Sequence, residues 1–282
     1  MCNFHKKYAG AGGIVTAVWR LLKLETYNAF MNMAIDESVL RAKIENLVRN
    51  TVRVYCWKPS AVSIGRFQSV EKEVQLDNCR KHDVDVVRRI TGGGTVYHDV
   101  EDEITYSVVA DKKDLEATDV TAVYAKMYAG LVEAIKILGL RADFGEGNVK
   151  TCPNLMVNGR KISGSAQSHK KGVVLQHGTL LVDVDLEKMF TFLRVSSGRT
   201  CMEIVNVAKH KITSIKKELR RDISIEEVEE ALVSGFQKAL NIKLVESKLT
   251  LYERQLAKKL YKEKYLTDEW NFHGKNCLKF QG

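Results

Sequence analysis

The chain has 282 residues, of which 45% are hydrophobic and 28% are charged, and its formal net charge at pH 7 is +9. This length and composition are typical of one large globular domain with a buried core. The sequence contains no apolar run as long as a membrane span and no signal-peptide pattern, so we expect a cytoplasmic protein without a membrane partner.

The positive charge alone does not indicate a nucleic-acid partner. Basic residues are interleaved with acidic ones, as in 216–222, and no combined aromatic and basic signature of nucleic-acid binding is present.

The six cysteines are scattered without a Cys-x-x-Cys pair, which argues against a zinc site and a disulfide framework.

The first part of the chain predicts a leader, a helix and two strands. Residues 1–18 contain several glycines and no periodicity, so we interpret them as a flexible leader, with the main domain over 19–245. Helical spacing begins at Asn28, and this helix should pack on a sheet. Alternating residues then predict a strand at 51–57, followed by a short strand at 61–67.

A glycine motif over residues 88–99, with the sequence RRITGGGTVYHD, dominates the next part. Strand-forming residues flank it on both sides, which argues against a linker. Three glycines let the backbone approach a ligand closely, and arginine guanidinium groups match phosphate or carboxylate oxygens. The motif is neither a Walker loop nor a Rossmann fingerprint, and it indicates an anionic ligand.

Helix signals recur in the second half. Thr118 or Asp119 is a potential N-cap, and capping boxes predict helices beginning at Ser224 and Thr250. We interpret 196–215 as mostly a connection and 246–282 as a C-terminal helix and tail packed on the same domain.

The strongest hairpin signal is Asn158-Gly159, because both residues of a type I′ turn need positive φ. A second turn near residue 170 would bring Lys161 close to His177 and Thr179 on adjacent strands. Small residues at 163–165 leave room there for a ligand.

Four side chains in this region could carry chemistry. Lys161 could place a positive charge on a carbonyl or phosphate oxygen during acyl transfer, although a solvated hairpin lysine is the more common outcome for such a residue. His98 and His177 could each be a base, a ligand contact or a structural histidine. Cys152, in the loop before the hairpin, is a potential nucleophile or an inert thiol.

Three separated motifs in the expected order, at 88–99, 158–166 and 176–181, resemble the lipoate-protein ligase A family. The resemblance implies a mixed α/β fold, with a mixed sheet and flanking helices, like that of biotin ligases and class II aminoacyl-tRNA synthetases. It also implies ATP-dependent activation of lipoate to lipoyl-AMP. The lipoyl group is then transferred to a lysine of a lipoyl domain of 2-oxoacid dehydrogenases or of the glycine cleavage H protein.

The resemblance also implies site residues and partners. Lys161 matches the essential lysine, ATP would carry Mg²⁺ into the site, and no metal ligand is expected in the protein. The chain resembles the short archaeal form without the C-terminal accessory domain, which implies a separate accessory subunit. The substrate- and ATP-binding residues implied are Arg89, Thr91, Gly92, Gly93, Gly94, Val96, His98, Ser163, Gly164, His177, Gly178 and Thr179.

Two alternatives stay open at this point. Octanoyltransferases of the same fold use no ATP, and they transfer an octanoyl group from acyl carrier protein through a cysteine thioester, a role that Cys152 could fill. A basic binding module without catalytic activity is the second alternative. The triple glycine favours the ligase as the principal hypothesis.

Overall fold

A computed structural model describes residues 16–144, 154–195, 198 and 200–274. Within these ranges the strands are β1 (Ala17–Tyr27), β2 (Thr51–Trp57), β3 (Ala61–Ile64), β4 (Asp85–Arg88), β5 (Val96–His98), β6 (Glu103–Asp111), β7 (Ala142–Phe144), β8 (Asn154–Val157), β9 (Arg160–Lys170), β10 (Val173–Leu181) and β11 (Ile242–Glu246). The α-helices are α1 (Ala29–Ile44), α2 (Val70–Glu73), α3 (Leu76–Lys81), α4 (Val120–Ile137), α5 (Leu186–Phe192), α6 (Cys201–Lys209), α7 (Ile215–Leu219), α8 (Ile225–Leu240), α9 (Leu251–Leu260) and α10 (Asp268–Asn271). A 3₁₀ turn spans Lys112–Leu115, and a π-helical turn spans Tyr261–Tyr265.

The strands form two sheets. The large sheet has the order β11-β1-β2-β6-β10-β9-β8-β7, and the small sheet has the order β4-β3-β5. In the large sheet β1 pairs in parallel with β2 and β11, whereas the remaining pairs are antiparallel. The predicted mixed α/β fold with flanking helices is therefore confirmed.

Helices cover both faces of the large sheet. On one face, α4 and α8 pack against each other and against the apolar side of β2 and β6 to form the main core. On the other face, α1 packs on the sheet beneath α9. Because both faces are covered, every residue of β2 is buried, although its side chains alternate as predicted.

The predicted turns and caps are largely confirmed. Asn158 and Gly159 have φ angles of 50° and 72°, as a type I′ turn requires. The helices predicted from capping signals begin directly after Asp119, Ser224 and Thr250.

The prediction of a connection at 196–215 is wrong. Thr200 and Glu203 form a capping box that starts α6, so the same signal used elsewhere also applies here.

Strand β1 already begins at Ala17, and the part of the predicted leader before residue 16 lies outside the described ranges. The proposed domain boundaries remain predictions. No helix in the described ranges is long and apolar enough to cross a membrane.

Candidate active site

A pocket of about 110 Å³ lies where the small sheet meets strands β2, β6, β9 and β10 of the large sheet. A single water needs only about a tenth of that volume, so the pocket can admit an organic group. Its lining residues are Met33, Tyr55, Trp57, Ser63, Arg89, Gly93, Gly94, Thr95, Val96, His98, Thr105, Asn154, Lys161, Gly164, Ser165, Ala166, His177, Gly178 and Thr179.

Most of the site residues predicted from the sequence line this pocket. They are Lys161, Arg89, Gly93, Gly94, Val96, His98, Gly164, His177, Gly178 and Thr179. The other three described positions, Thr91, Gly92 and Ser163, do not line it. Cys152 lies outside the described residues, but Asn154, two residues later in the sequence, lines the pocket.

Lys161 reaches the pocket because the tight turn places it at the start of β9. Its backbone donates to the carbonyl of Lys211 at 2.8 Å and accepts from the amide of Thr213 at 2.9 Å, so the segment 211–213 holds it with two hydrogen bonds. Its ammonium nitrogen would lie only 3.0 Å from a Cβ atom at Gly164. A glycine at position 164 therefore makes room for the lysine side chain itself.

The Arg89 guanidinium braces the glycine loop. It donates to the carbonyls of Gly92 at 3.0 Å and Gly94 at 2.8 Å. It also donates to the carbonyl and the hydroxyl of Ser63, each at 2.8 Å. These contacts fix the loop that forms one wall of the pocket. The contacts of Arg89 therefore indicate a structural role more strongly than the predicted role in holding an anionic ligand.

Arg88 has a similar structural role behind the loop. Its side chain donates to six backbone carbonyls in two chain segments, 65–68 and 270–272. Burial, together with the charge of Arg66, lowers the pKa of Arg88. Because a guanidinium has five N–H donors in a planar fork, it can join several carbonyl groups in this way.

Asp36 and His177 form a buried network beside the pocket. The Asp36 carboxylate accepts from His177 Nδ1 at 3.0 Å and from Arg53 at 2.8 Å. Tyr55 and Ser107 donate their hydroxyls to the same carboxylate at 3.0 and 2.9 Å. Burial alone would raise the pKa of Asp36, but the hydrogen bond from His177 and the charge of Arg53 outweigh it and lower the pKa.

The environment of His177 favours the neutral imidazole. Burial lowers its pKa, and the charge of Arg89 adds to this effect, whereas the hydrogen bond to Asp36 opposes it. Since Nδ1 donates to Asp36, Nε2 accepts from the Thr91 hydroxyl, 2.8 Å away. Thr91 therefore acts from behind the pocket wall by orienting the imidazole.

His98 forms a second chain of the same kind. Its Nδ1 lies 2.8 Å from a Glu103 carboxylate oxygen, and its Nε2 lies 2.7 Å from the Ser63 hydroxyl. The Trp57 ring stacks on the imidazole with the ring centroids 3.9 Å apart. Thr105 donates to Glu103 at 2.6 Å and accepts from the Trp57 indole at 2.8 Å.

These two chains determine what the pocket offers a ligand. Both nitrogens of each histidine already have protein partners, and the hydroxyls of Tyr55 and Thr105 are engaged as well. The walls near Met33, Tyr55 and Trp57 thus present mainly carbon atoms, while Lys161 supplies a cation at another edge. An acyl chain with a polar reacting carbonyl fits this distribution.

None of the three described cysteines combines a reactive thiol with a place in the pocket. Burial raises the pKa of Cys56 to about 12 and that of Cys79 to about 11, which disfavours the nucleophilic thiolate. Cys201 is exposed on α6 and does not line the pocket.

Sequence reasoning missed Asp36, Arg53, Ser63 and Glu103 as parts of the site. Adjacent acidic residues at positions 36 and 37, in a helix that is otherwise rich in apolar residues, were the available signal. A buried acid is rare unless it is paired. Arg53 could not be found in the same way, because it lies 17 residues from Asp36 in the sequence. Glu103 lies only five residues from its partner His98.

The chain matches the family model for the lipoyl protein ligase A/B catalytic domain over residues 28–237. Curated relatives include the octanoyltransferase LipM of Clostridioides difficile, 35% identical over 268 residues, and that of Halalkalibacterium halodurans, 38% identical over 274 residues. Each alignment covers 90% of this chain and 98% of the relative.

Solved structures give the same fold. The bipartite lipoate protein ligase of Thermoplasma acidophilum has a TM-score of 0.80 and 32% identity, covering 93% of this chain and 100% of that one. A lipoate-protein ligase A bound with ATP has a TM-score of 0.79 and 32% identity, covering 91% and 99% of the two chains.

The principal functional expectation is wrong. An ATP-dependent lipoate ligase was expected, but the curated relatives named above are octanoyltransferases that match nearly their full length. The alternative set out from the sequence, acyl transfer without ATP, agrees better with them. The triple glycine was therefore not sufficient evidence for the ligase, and ATP and Mg²⁺ are not retained as cofactors.

Proposed function

Because this chain belongs to the lipoyl protein ligase A/B family of lipoate ligases and acyltransferases, we propose that it is an octanoyltransferase. Its similarity to LipM octanoyltransferases over 98% of their length carries the proposal. The donor is octanoyl-acyl carrier protein, and the acceptor is a lysine of a lipoyl domain or of H protein. The Thermoplasma structure is described as that of a bipartite ligase and its E2 lipoyl domain.

The proposed reaction has two balanced steps. The Cys152 thiol gives up its proton and attacks the octanoyl thioester as a thiolate, which forms an enzyme thioester and expels the carrier thiolate. The carrier thiolate takes up the proton that Cys152 lost and leaves as a thiol. The ε-amine of the acceptor lysine then attacks the enzyme thioester, forms the amide and returns the cysteine thiol after losing a proton. Lys161 places its charge near the developing oxyanion in both steps.

The pocket geometry supports this assignment for the acyl chain. The apolar surfaces of Met33, Tyr55 and Trp57 would hold the hydrocarbon, and Gly93, Gly94 and Gly164 would allow the reacting carbonyl to approach the backbone. His98, His177, Gly178 and Thr179 complete the wall. Arg89 contacts the carbonyls of the glycine loop, and Arg88 contacts carbonyls in 65–68 and 270–272. These backbone contacts reduce the case for a phosphate site.

Cys152 is proposed as the nucleophile from its sequence position and from thiol chemistry. Cys152 lies two residues before Asn154 in the sequence, and Asn154 lines the pocket. The buried Cys56 and Cys79 have raised pKa values and are unsuited to the role.

The test offers octanoyl-acyl carrier protein and an apo-lipoyl domain to the chain without ATP, and follows both protein masses. Wild type should gain one octanoyl group transiently and pass it to the domain. Cys152→Ser should lose thioester formation, whereas the matched exposed-cysteine variant Cys201→Ser should keep it. Absence of octanoyl transfer by wild type, with AMP release from lipoate and ATP, would overturn the proposal.

A further inference from the structure

A turn after β3 displays the most exposed large hydrophobic side chain of the described residues. Phe67 is 89% exposed and lies in the segment 65–68, which we name the Phe67 turn. Isolated exposed hydrophobic residues are common and need no explanation by themselves. The surroundings of this one distinguish it.

The Phe67 turn is held rigidly from both sides. The amide of Arg66 donates to the carbonyl of Thr91 at 2.8 Å, and the amide of Gln68 donates to the carbonyl of Gly65 at 3.1 Å. Arg88 donates to the carbonyl of Gln68 at 2.6 Å. An aromatic ring on a rigid turn loses little conformational freedom when a partner covers it.

The C-terminal segment also fixes the cation beside Phe67. The Arg66 guanidinium lies over the Trp270 ring at 4.7 Å, and the Lys264 ammonium lies over the same ring at 3.7 Å. The Trp270 indole donates to the carbonyl of Arg88 at 2.8 Å. The turn, its arginine and the glycine loop therefore form one connected unit.

This unit belongs to the rim of the pocket. A Cβ atom at Gly65 would lie 2.1 Å from the carbonyl oxygen of Gly93, so the two backbones are in direct contact. The Thr95 hydroxyl donates to the Gln68 amide oxygen at 3.2 Å. Gly93 and Thr95 both line the pocket.

Charges of both signs lie near the turn. Arg66, Arg88 and Lys170 are the cations. Glu73 accepts from the Thr95 hydroxyl at 3.2 Å, and Glu71 accepts from the Ser69 hydroxyl at 2.8 Å. Burial is the main cause that lowers the pKa of Lys170. Arg66 lies close enough for its charge to lower that pKa further. The whole chain carries a formal charge of +9. An acidic partner surface would complement these cations and would be steered toward them.

We propose that the Phe67 turn is the docking contact for an acidic acyl-acceptor domain whose lysine enters the pocket. This inference rests on the proposed function. A lysine has only four methylenes between its amine and its backbone, so the acceptor domain must press against the rim to react. Aromatic and arginine side chains side by side are also the residue types that dominate binding energy at interfaces.

The test separates acceptor docking from acyl loading. Phe67→Ala is compared with Leu251→Ala, which removes a 62% exposed side chain from α9. Loading of the enzyme from octanoyl-acyl carrier protein and release of the octanoyl group to hydroxylamine should stay within about twofold of wild type for both variants. The KM for the apo-lipoyl domain should rise about tenfold or more for Phe67→Ala only.

Three outcomes are decisive. A KM for the lipoyl domain that is unchanged in Phe67→Ala would overturn the docking proposal. Slower loading of Phe67→Ala from the donor carrier would also overturn it, because the turn would then serve the donor. Failure of wild type to load at all would instead contradict the proposed function.

Discussion

Replacing Asp36 by asparagine tests the buried network most directly. Asp36 is 2% exposed and accepts four hydrogen bonds, two on each carboxylate oxygen. The amide has one acceptor oxygen in place of two, so two of the four donors lose their acceptor. Arg53, also 2% exposed, would lose its counter-charge inside the protein.

Removing one partner of a buried ion pair costs about 3–5 kcal/mol, because the other charge is left uncompensated. We therefore expect Asp36→Asn to lower the free energy of unfolding by about 3–5 kcal/mol, measured by urea denaturation. Arg53→Met should be destabilising alone. In the double variant neither charge remains, so the two effects should couple by about 1–3 kcal/mol.

Two results would contradict the expected compensation between Asp36 and Arg53. A loss below about 1 kcal/mol for Asp36→Asn would mean that the pair is not buried as described. Strict additivity of the two single variants would mean that Asp36 and Arg53 do not compensate each other.

The other predictions concern the pocket walls. Lys161→Ala should lower octanoyl transfer about 10²–10³-fold while leaving the urea midpoint near that of wild type; retained transfer would remove Lys161 from the reaction. Gly178→Ala should destabilise by about 1–3 kcal/mol, because its Cβ would lie 2.7 Å from the Gly164 carbonyl oxygen. Gly94→Ala is the control, since nothing lies within 4 Å of its Cβ, and equal urea midpoints for the two would contradict this. Burial lowers the pKa of His177 from 6.5, so below about pH 6.5 the unfolded chain binds a proton that the folded chain does not. The free energy of unfolding should therefore fall between pH 7 and 5, with a shallower slope in His177→Gln; identical slopes would exclude His177 as the cause.

Local signals in the sequence determined the elements that place the lysine. The Asn158-Gly159 turn and the alternation in β9 and β10 depend on backbone preferences within a few residues. The pairing of Thr179 with Gly164 follows from the second predicted turn, between β9 and β10, and is present in the structure. The sequence could therefore place Lys161 on the strand adjacent to that of His177, and both residues line the pocket.

The tertiary structure alone decided what the polar side chains do. Asp36 meets His177 across 141 residues, and Arg88 meets Trp270 across 182. No local preference encodes such pairs, because they exist only once the sheets and the C-terminal segment are packed together. The arginines of the glycine motif illustrate the difference: their chemistry allowed phosphate binding, but packing placed backbone carbonyls within their reach.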